Sequence, residues 1–341
     1  MFPFVKGFLE TPVGPVPRVA TSLTTRDHFG TIGARTGFTR NSYKITPGLY
    51  CTGEPTENSP VLVTANYKLS FDALRKELSN TNSWILVVDT RGINVWCAAG
   101  KGTFSAEEVV YQVQNAKLDQ IVSHRKLILP QLSANGVAAR DLKKLCGFRG
   151  RFGPILASML PEFLKNGKTS KEMQSVTFTL RERAVLIPLD ICMLWKQLLV
   201  ACGLFFILAG ISPQIFSLPA ALSRGATLLA ATFAAILAGT VTTPLLLPWI
   251  PVRQFWLKGA IVGALSAGFF VFQIAPDTEP VEKISLFLWI TGCSSYLAMN
   301  FTGSTPFTSL SGVAKEMRRG LPFQIGCTIL AALLWIVGSF L

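Results

Sequence analysis

The spacing of apolar residues changes character twice along the chain. Up to about residue 58 it shows little periodicity and is broken by Gly-Pro, Pro-Gly and Thr clusters, which predicts an extended N-terminal arm over 1–59. From Pro60 onward, short apolar runs alternate with helical spacing. Residues 61–66 (VLVTAN) read as a buried strand, and 70–80 (SFDALRKELSN) set Phe71, Leu74 and Leu78 on one helical face. A second buried strand is expected at 84–90 (WILVVDT), followed by a helix at 105–117 that opens with Ser105 and Glu108 in capping-box spacing. A third strand is expected at 126–130 (KLILP) and another helix at 138–146 (AARDLKKLC), while Gly153-Pro154 turns the chain into an apolar helix. Strands alternating with helices predict an α/β (Rossmann-like) domain with parallel pairing over 60–167, then a connector over 168–190.

After Asp190 the alternation gives way to long apolar runs. Five stretches, 191–211, 225–246, 255–275, 284–301 and 321–341, approach the roughly 20 residues that cross a bilayer core. They predict an α-helical transmembrane domain of about five helices, its fourth span the most polar through Ser294, Ser295 and Asn300. Lys196 sits near the leading end of the first span, where it can snorkel. Basic residues set the orientation: Arg253, Lys258, Lys315, Arg318 and Arg319 fall on one side, Arg224 and Lys283 on the other. The expectation is a multi-pass protein of the cell inner membrane with a cytoplasmic N-terminal half and its C-terminus outside. Residues 1–30 lack a sustained apolar core, so no secretory signal is expected.

Composition agrees with a membrane part, since half of the residues are hydrophobic. The net charge of +13 comes from scattered Lys and Arg without a recognition helix or zinc pattern. Anionic lipid or an acidic protein is therefore the expected partner, and nucleic acid is not. Seven cysteines show no CxxC pair and no set of four for an iron–sulfur cluster, so no intrinsic cluster is expected. Cys192, Cys202, Cys293 and Cys327 fall in apolar spans as small hydrophobes. A cytoplasmic domain keeps Cys51, Cys97 and Cys146 reduced.

The chemistry concentrates in residues 94–101, Asn94, Val95, Trp96, Cys97, Ala98, Ala99, Gly100 and Lys101, which follow a strand, where α/β sheets place their ligands. A phosphate-binding loop is excluded, because Val95 stands where that motif has its first Gly and Gly102 where it has Ser or Thr. The residues leave three readings of Cys97: an inert buried thiol, a nucleophile paired with His28 or His124, or a ligand to a metal or cofactor. The small Ala98, Ala99 and Gly100 leave room for a large planar group near the backbone.

VLVTANYKLSFDAL, WILVVDTRGINVWCAAGKGTFSAEEV and VSHRKLILPQL resemble the corrinoid-binding domain of the large subunit of corrinoid iron–sulfur proteins, over roughly residues 60 to 165. The Cys within Asn-Val-Trp-Cys-Ala-Ala-Gly-Lys, joined to a five-span membrane half, is similar to the mercury-methylating corrinoid protein family, which is found with a small ferredoxin partner. That resemblance implies a corrinoid-dependent methyltransferase that moves a methyl group from a Co-methyl corrinoid to inorganic Hg(II), forming methylmercury. It makes 94–101 a cap helix under a cobalamin-type corrinoid, with the Cys97 thiolate as lower axial ligand to cobalt, a soft donor for a soft metal. Lys101 is expected to help hold that anion, and Thr64, Asn66, Gln131, Gly153 and Pro154 are expected around the corrin edge and its nucleotide tail. The implied partners are a ferredoxin-like iron–sulfur reductant and a methyl-donating enzyme using a methylated folate-type donor. The alternative is a membrane-anchored corrinoid methyl carrier of acetyl-CoA-type one-carbon metabolism that does not act on mercury.

Overall fold

A computed structural model describes residues 2–305, 308 and 310–341, without the side chains of Ser304 and Leu310. The chain divides into two compact units, Met1–Val176 and Thr177–Leu341.

In the first unit, seven strands among the described residues form one sheet: β1 (Val5–Leu9), β2 (Val16–Val19), β3 (Gly48–Thr52), β4 (Val61–Ala65), β5 (Ser83–Val88), β6 (Lys126–Leu129) and β7 (Arg149–Phe152). Their spatial order is β1-β2-β3-β5-β4-β6-β7. β5, β4, β6 and β7 run parallel, with Val63 opposite Leu86 and Leu62 opposite Ile128. β3 closes against β5 antiparallel. The helices are α1 (Thr25–Arg35), α2 (Lys68–Arg75), α3 (Val95–Gly100), α4 (Ala106–Asn115), α5 (Ala139–Cys146) and α6 (Leu160–Asn166).

The pleat sorts the apolar runs into two cores. Val61, Val63 and Ala65 with Trp84, Leu86 and Val88 face Ala98, Ala99, Val109 and Leu142 of α3, α4 and α5. Leu62, Ile85 and Val87 face Phe71 of α2 and Leu160 and Phe163 of α6. Both faces are covered, which is why β4 and β5 read as continuous apolar runs rather than alternating ones.

The expected extended arm is not what residues 1–59 form. They supply β1, β2 and β3 at one side of the sheet and the helix α1, and Phe4 and Tyr50 are core residues. The strands are four or five residues long and carry Gly7, Pro17 and Gly48, so their period is too short to register. α1 is fastened by buried charge. Asp27 closes a capping box with Thr24 and meets Lys68 at 2.6 Å, Lys68 meets Asp72 at 2.6 Å, and Arg75 meets Asp72 at 2.7 Å. Arg75 Nη2 also lies 2.9 Å from Asp27 Oδ2, an ion contact whose N–H does not point at the oxygen.

The second unit is helical: α7 (Leu180–Ala184), α8 (Ile187–Cys192), α9 (Trp195–Gly210), α10 (Leu218–Ile236), α11 (Thr243–Leu246), α12 (Phe255–Phe269), α13 (Pro280–Asn300) and α14 (Leu310–Val337). Among the described residues four helices are long and apolar enough to cross a membrane, spanning Leu218–Leu246, Phe255–Ile274, Pro280–Gly303 and Ser311–Val337. The first expected span is instead a pair, Leu180–Cys192 and Trp195–Gly210, bent by 50°. The polar fourth span is explained by packing. Ser294 Oγ donates to Gly259 O at 2.8 Å and Ser295 Oγ to Trp256 O at 2.9 Å, and a Cβ on Gly263 would come within 2.7 Å of Ser294 Cβ. Small residues bring α12 and α13 together, and their hydroxyls bond across the seam. One end of the bundle is tied by Arg224, which donates to Glu282 Oε1 at 2.8 Å, Ser339 Oγ at 2.6 Å and Trp335 O at 2.5 Å.

Candidate functional site

The chain passes from β4 to β5 on one side and then to β6 on the other side of β4. This reversal opens a crevice at the carboxyl ends of the strands, where α/β sheets bind ligands. A cavity of about 420 Å³ occupies it, lined by Leu62 and Thr64 of β4, Leu129 and Pro130 after β6, Asn94, Val95 and Trp96 of the cap, and Gly153 and Pro154 after β7. Its wall is largely apolar with a few polar groups, as in small-molecule sites.

The cap helix α3 is held at its N-terminal end. Asn94 Oδ1 accepts from Cys97 N at 2.8 Å, the N-cap bond that offsets one orphan donor. Ahead of it the chain turns through left-handed Arg91 (φ 59) and Gly92 (φ 75). Asn66 fastens that turn: its Oδ1 accepts from Thr90 N at 3.1 Å and Gly92 N at 2.9 Å, and its Nδ2 donates to Asp89 Oδ1 at 2.9 Å. Glu108 was expected to complete a capping box with Ser105. Ser105 Oγ does accept from Glu108 N at 3.3 Å, but the Glu108 carboxylate accepts from Asp89 N at 2.8 Å, bracing the same turn.

The structure thus gathers Thr64, Asn94, Val95, Trp96, Gly153 and Pro154 around one cavity, with Cys97 the next residue of α3 and half-buried. Ala98 and Ala99 are buried under the helix, and Gly100 and Lys101 are exposed at its far end. Asn66 spends its side chain on the 89–92 turn, so it shapes the site without lining the cavity. Gln131 lies between Pro130 and Leu132, both cavity residues, and its buried Oε1 has no hydrogen-bond partner among the described residues. Neither histidine serves Cys97. His28 is exposed on α1, and His124 Nδ1 accepts from Lys126 N at 3.2 Å, which leaves Nε2–H to donate to Ser59 O at 2.9 Å. Burial pushes the Cys51 thiol up to about 11 and raises that of Cys146, so both stay protonated at neutral pH.

Sequence reasoning did not single out Gly136. A Cβ there would meet Phe104 O and lie 2.9 Å from Ala99 Cα, all of it backbone that cannot swing aside. Gly136 is what lets the loop after β6 press against α3. Gly136→Ala is expected to lower stability by about 1–3 kcal/mol and to speed amide hydrogen exchange across residues 95–104 while β4 keeps its protection. Unchanged exchange over 95–104 would show that this contact does not hold the cap.

Fold and site together define an α/β domain with a ligand crevice at its switch point, roofed by a thiol-bearing helix. Residues 39–163 match the CdhD family, described as CO dehydrogenase/acetyl-CoA synthase delta subunit. The chain is 34% identical over 128 residues to the acetyl-CoA decarbonylase/synthase complex subunit gamma of Methanopyrus kandleri, covering 37% of this chain and 27% of that one. It is 34% identical over 115 residues to the corrinoid/iron-sulfur protein large subunit of Moorella thermoacetica, covering 33% and 25%. The matches therefore span about a quarter of the length of these curated relatives.

Proposed function

We propose that the N-terminal unit is a corrinoid-binding methyl-transfer domain, that Cys97 is the lower axial ligand to its cobalt, and that the methyl group is passed to Hg(II) to form methylmercury. The observation that carries this reading is the placement of Cys97 on a capped helix beside the switch-point cavity, within a segment similar to a corrinoid protein subunit. The residues present fit such a group. The cavity wall is apolar, Gln131 Oε1 is a buried acceptor in want of a donor, and the roof helix carries a soft thiol.

A bound corrinoid supplies a cobalt centre able to carry a methyl group. The chain's residues do the rest. Asn94 and the Asn66-tethered turn fix α3, while Val95 and Trp96 shield the cavity from water. Thr64, Gln131 and the Gly153-Pro154 turn offer contacts to the polar edge of the group. Cys97 would hold the cobalt as a thiolate, deprotonated on metal binding, and a soft, electron-rich donor of that kind would suit methyl transfer to a soft acceptor such as Hg(II).

The helical unit is proposed as the anchor in the cell inner membrane, with a cytoplasmic N-terminal unit and the C-terminus outside. A ferredoxin-like reductant and a methyl-donating enzyme are proposed as partners, supported by relatives that are subunits of a larger complex. Those relatives favour a second reading over mercury as the acceptor: a membrane-anchored one-carbon methyl carrier of acetyl-CoA-type metabolism that does not act on mercury.

The two readings separate in membranes containing the full chain, a corrinoid, a reduced ferredoxin and a methyl donor. Label from the donor is expected in methylmercury after Hg(II) is added. Label that stays on the protein, or leaves only toward an acetyl-CoA-forming partner, would favour the carrier. Absence of corrinoid absorption bands after reconstitution would sink both.

A further inference from the structure

The helical unit has a cavity of its own, about 370 Å³, where α9, α10, α13 and α14 converge. Its walls are mostly hydrocarbon, from residues such as Leu198, Ile236, Leu297 and Ile329, but Cys293 and Gln324 both face it. Gln324 is 4% exposed, and its amide is locked in one orientation. Ser295 Oγ gives its proton to Trp256 O, so it must accept from Gln324 Nε2, at 3.0 Å. Gln324 Oε1 is thereby left buried without a hydrogen-bond partner among the described residues. An unpaired buried carbonyl carries a desolvation cost that a ligand placed there can offset.

Among the described residues no three His, Cys, Asp or Glu side chains gather as a metal site. A metal species held here must therefore need few protein ligands. An organomercury cation is such a species: mercury prefers two-coordinate linear geometry, carbon fills one position, and one thiolate completes the other. The resulting adduct is neutral, which a hydrocarbon-walled cavity tolerates where it would reject a free cation.

We propose that this cavity binds methylmercury, with Cys293 as the sulfur ligand and Gln324 Oε1 as a secondary oxygen contact to the metal. The proposal rests on the methyl-transfer reading above for the source of its ligand. Loading is a thiol exchange. The mercury–sulfur bond to an incoming small thiol breaks, a bond to Cys293 sulfur forms, and the Cys293 proton leaves with the released thiol. The mercury–carbon bond stays intact and no electrons change hands. The lining residues come from the start of α9, the end of α10 and the later part of α13, so the cavity lies toward the end of the bundle where the chain enters α9, away from the Arg224 cluster.

The test uses the full chain in lipid nanodiscs, loaded with methylmercury as its cysteine adduct and challenged with increasing glutathione. Adducts are mapped on each cysteine by mass spectrometry. The adduct on Cys293 is expected to withstand at least about tenfold more glutathione than that on the exposed Cys202, and Gln324→Leu is expected to remove that advantage. Cys293→Ala should lose the resistant adduct while keeping the helical circular dichroism. An adduct at Cys293 no more resistant than at Cys202, as when the cavity merely takes a lipid tail, would overturn the proposal, as would full resistance in Gln324→Leu. Because preformed methylmercury is supplied, the result does not depend on methyl transfer. Failure of the N-terminal reading shows separately, as unchanged methylmercury formation in Cys97→Ala.

Discussion

Cys97→Ala is expected to reduce methylmercury formation by about 100-fold or more while the N-terminal unit stays folded and keeps its corrinoid. The structure makes this a clean substitution. Cys97 is half-buried, its sulfur makes no hydrogen bond among the described residues, and its backbone N–H, which the Asn94 cap uses, survives in alanine. Alanine is also the best helix former, and Ala98 and Ala99 supply the buried side of α3. The expected change in stability is therefore below about 1 kcal/mol. Serine at 97 preserves shape but replaces a soft donor with a hard one and should fail similarly, whereas histidine offers a nitrogen donor and should retain a fraction of the activity. Three measurements check this: corrinoid absorption of each variant, whose bands should shift when the axial donor changes; hydrogen exchange over α3; and methylmercury yield. Wild-type yield from Cys97→Ala with an unshifted spectrum would remove Cys97 from the mechanism.

What the sequence made legible follows from burial. β4 and β5, expected at 61–66 and 84–90, are found at Val61–Ala65 and Ser83–Val88 because strands covered on both faces are apolar at nearly every position. β7 reads Arg-Gly-Arg-Phe at the sheet edge and carries no such signal. The cap stretch stood out through its composition, yet its support was hidden. Asn66 and Asp89 are distant in sequence, and nothing in a single chain says that an Asn after one strand will fasten the turn after the next. Gly136 matters only because Ala99 lies against it, a contact that exists only once the β6 loop has folded back. In the helical unit length and hydropathy sufficed for four helices, but the break between Cys192 and Trp195 leaves the run apolar and so does not interrupt it.

The least legible feature carries the second large effect. Arg75→Met is expected to destabilise the N-terminal unit by about 3–5 kcal/mol, the cost of stranding buried charge. Asp27, Lys68, Asp72 and Arg75 form a neutral quartet, and all four are buried. Removing Arg75 leaves two carboxylates to share Lys68. It also frees the carbonyls of Ala20 and Ser22, to which Arg75 Nη1 donates at 2.5 and 3.1 Å and which lead the chain into α1. The pH dependence has a definite sign. Burial would raise the Asp27 carboxyl, but hydrogen bonds from Lys68 and from the Thr24 backbone and hydroxyl outweigh it and hold the group well below the carboxylate range. A group depressed in the folded state stabilises above its unfolded pKa of about 3.9, and that contribution is lost as pH falls through the folded value. The gap between wild type and Arg75→Met should therefore be full at neutral pH and narrow below about pH 4, as the contribution of the Asp27 carboxylate is lost. Amide exchange of α1 and of β4 measures both. α1 should lose protection first, because the quartet is what binds its Asp27 to α2, and β4 should follow only if the two faces of the sheet unfold together. Equal protection of α1 in both proteins at pH 7 would mean that Phe4 and Tyr50, packed on Phe71, hold the N-terminal segment without the charges.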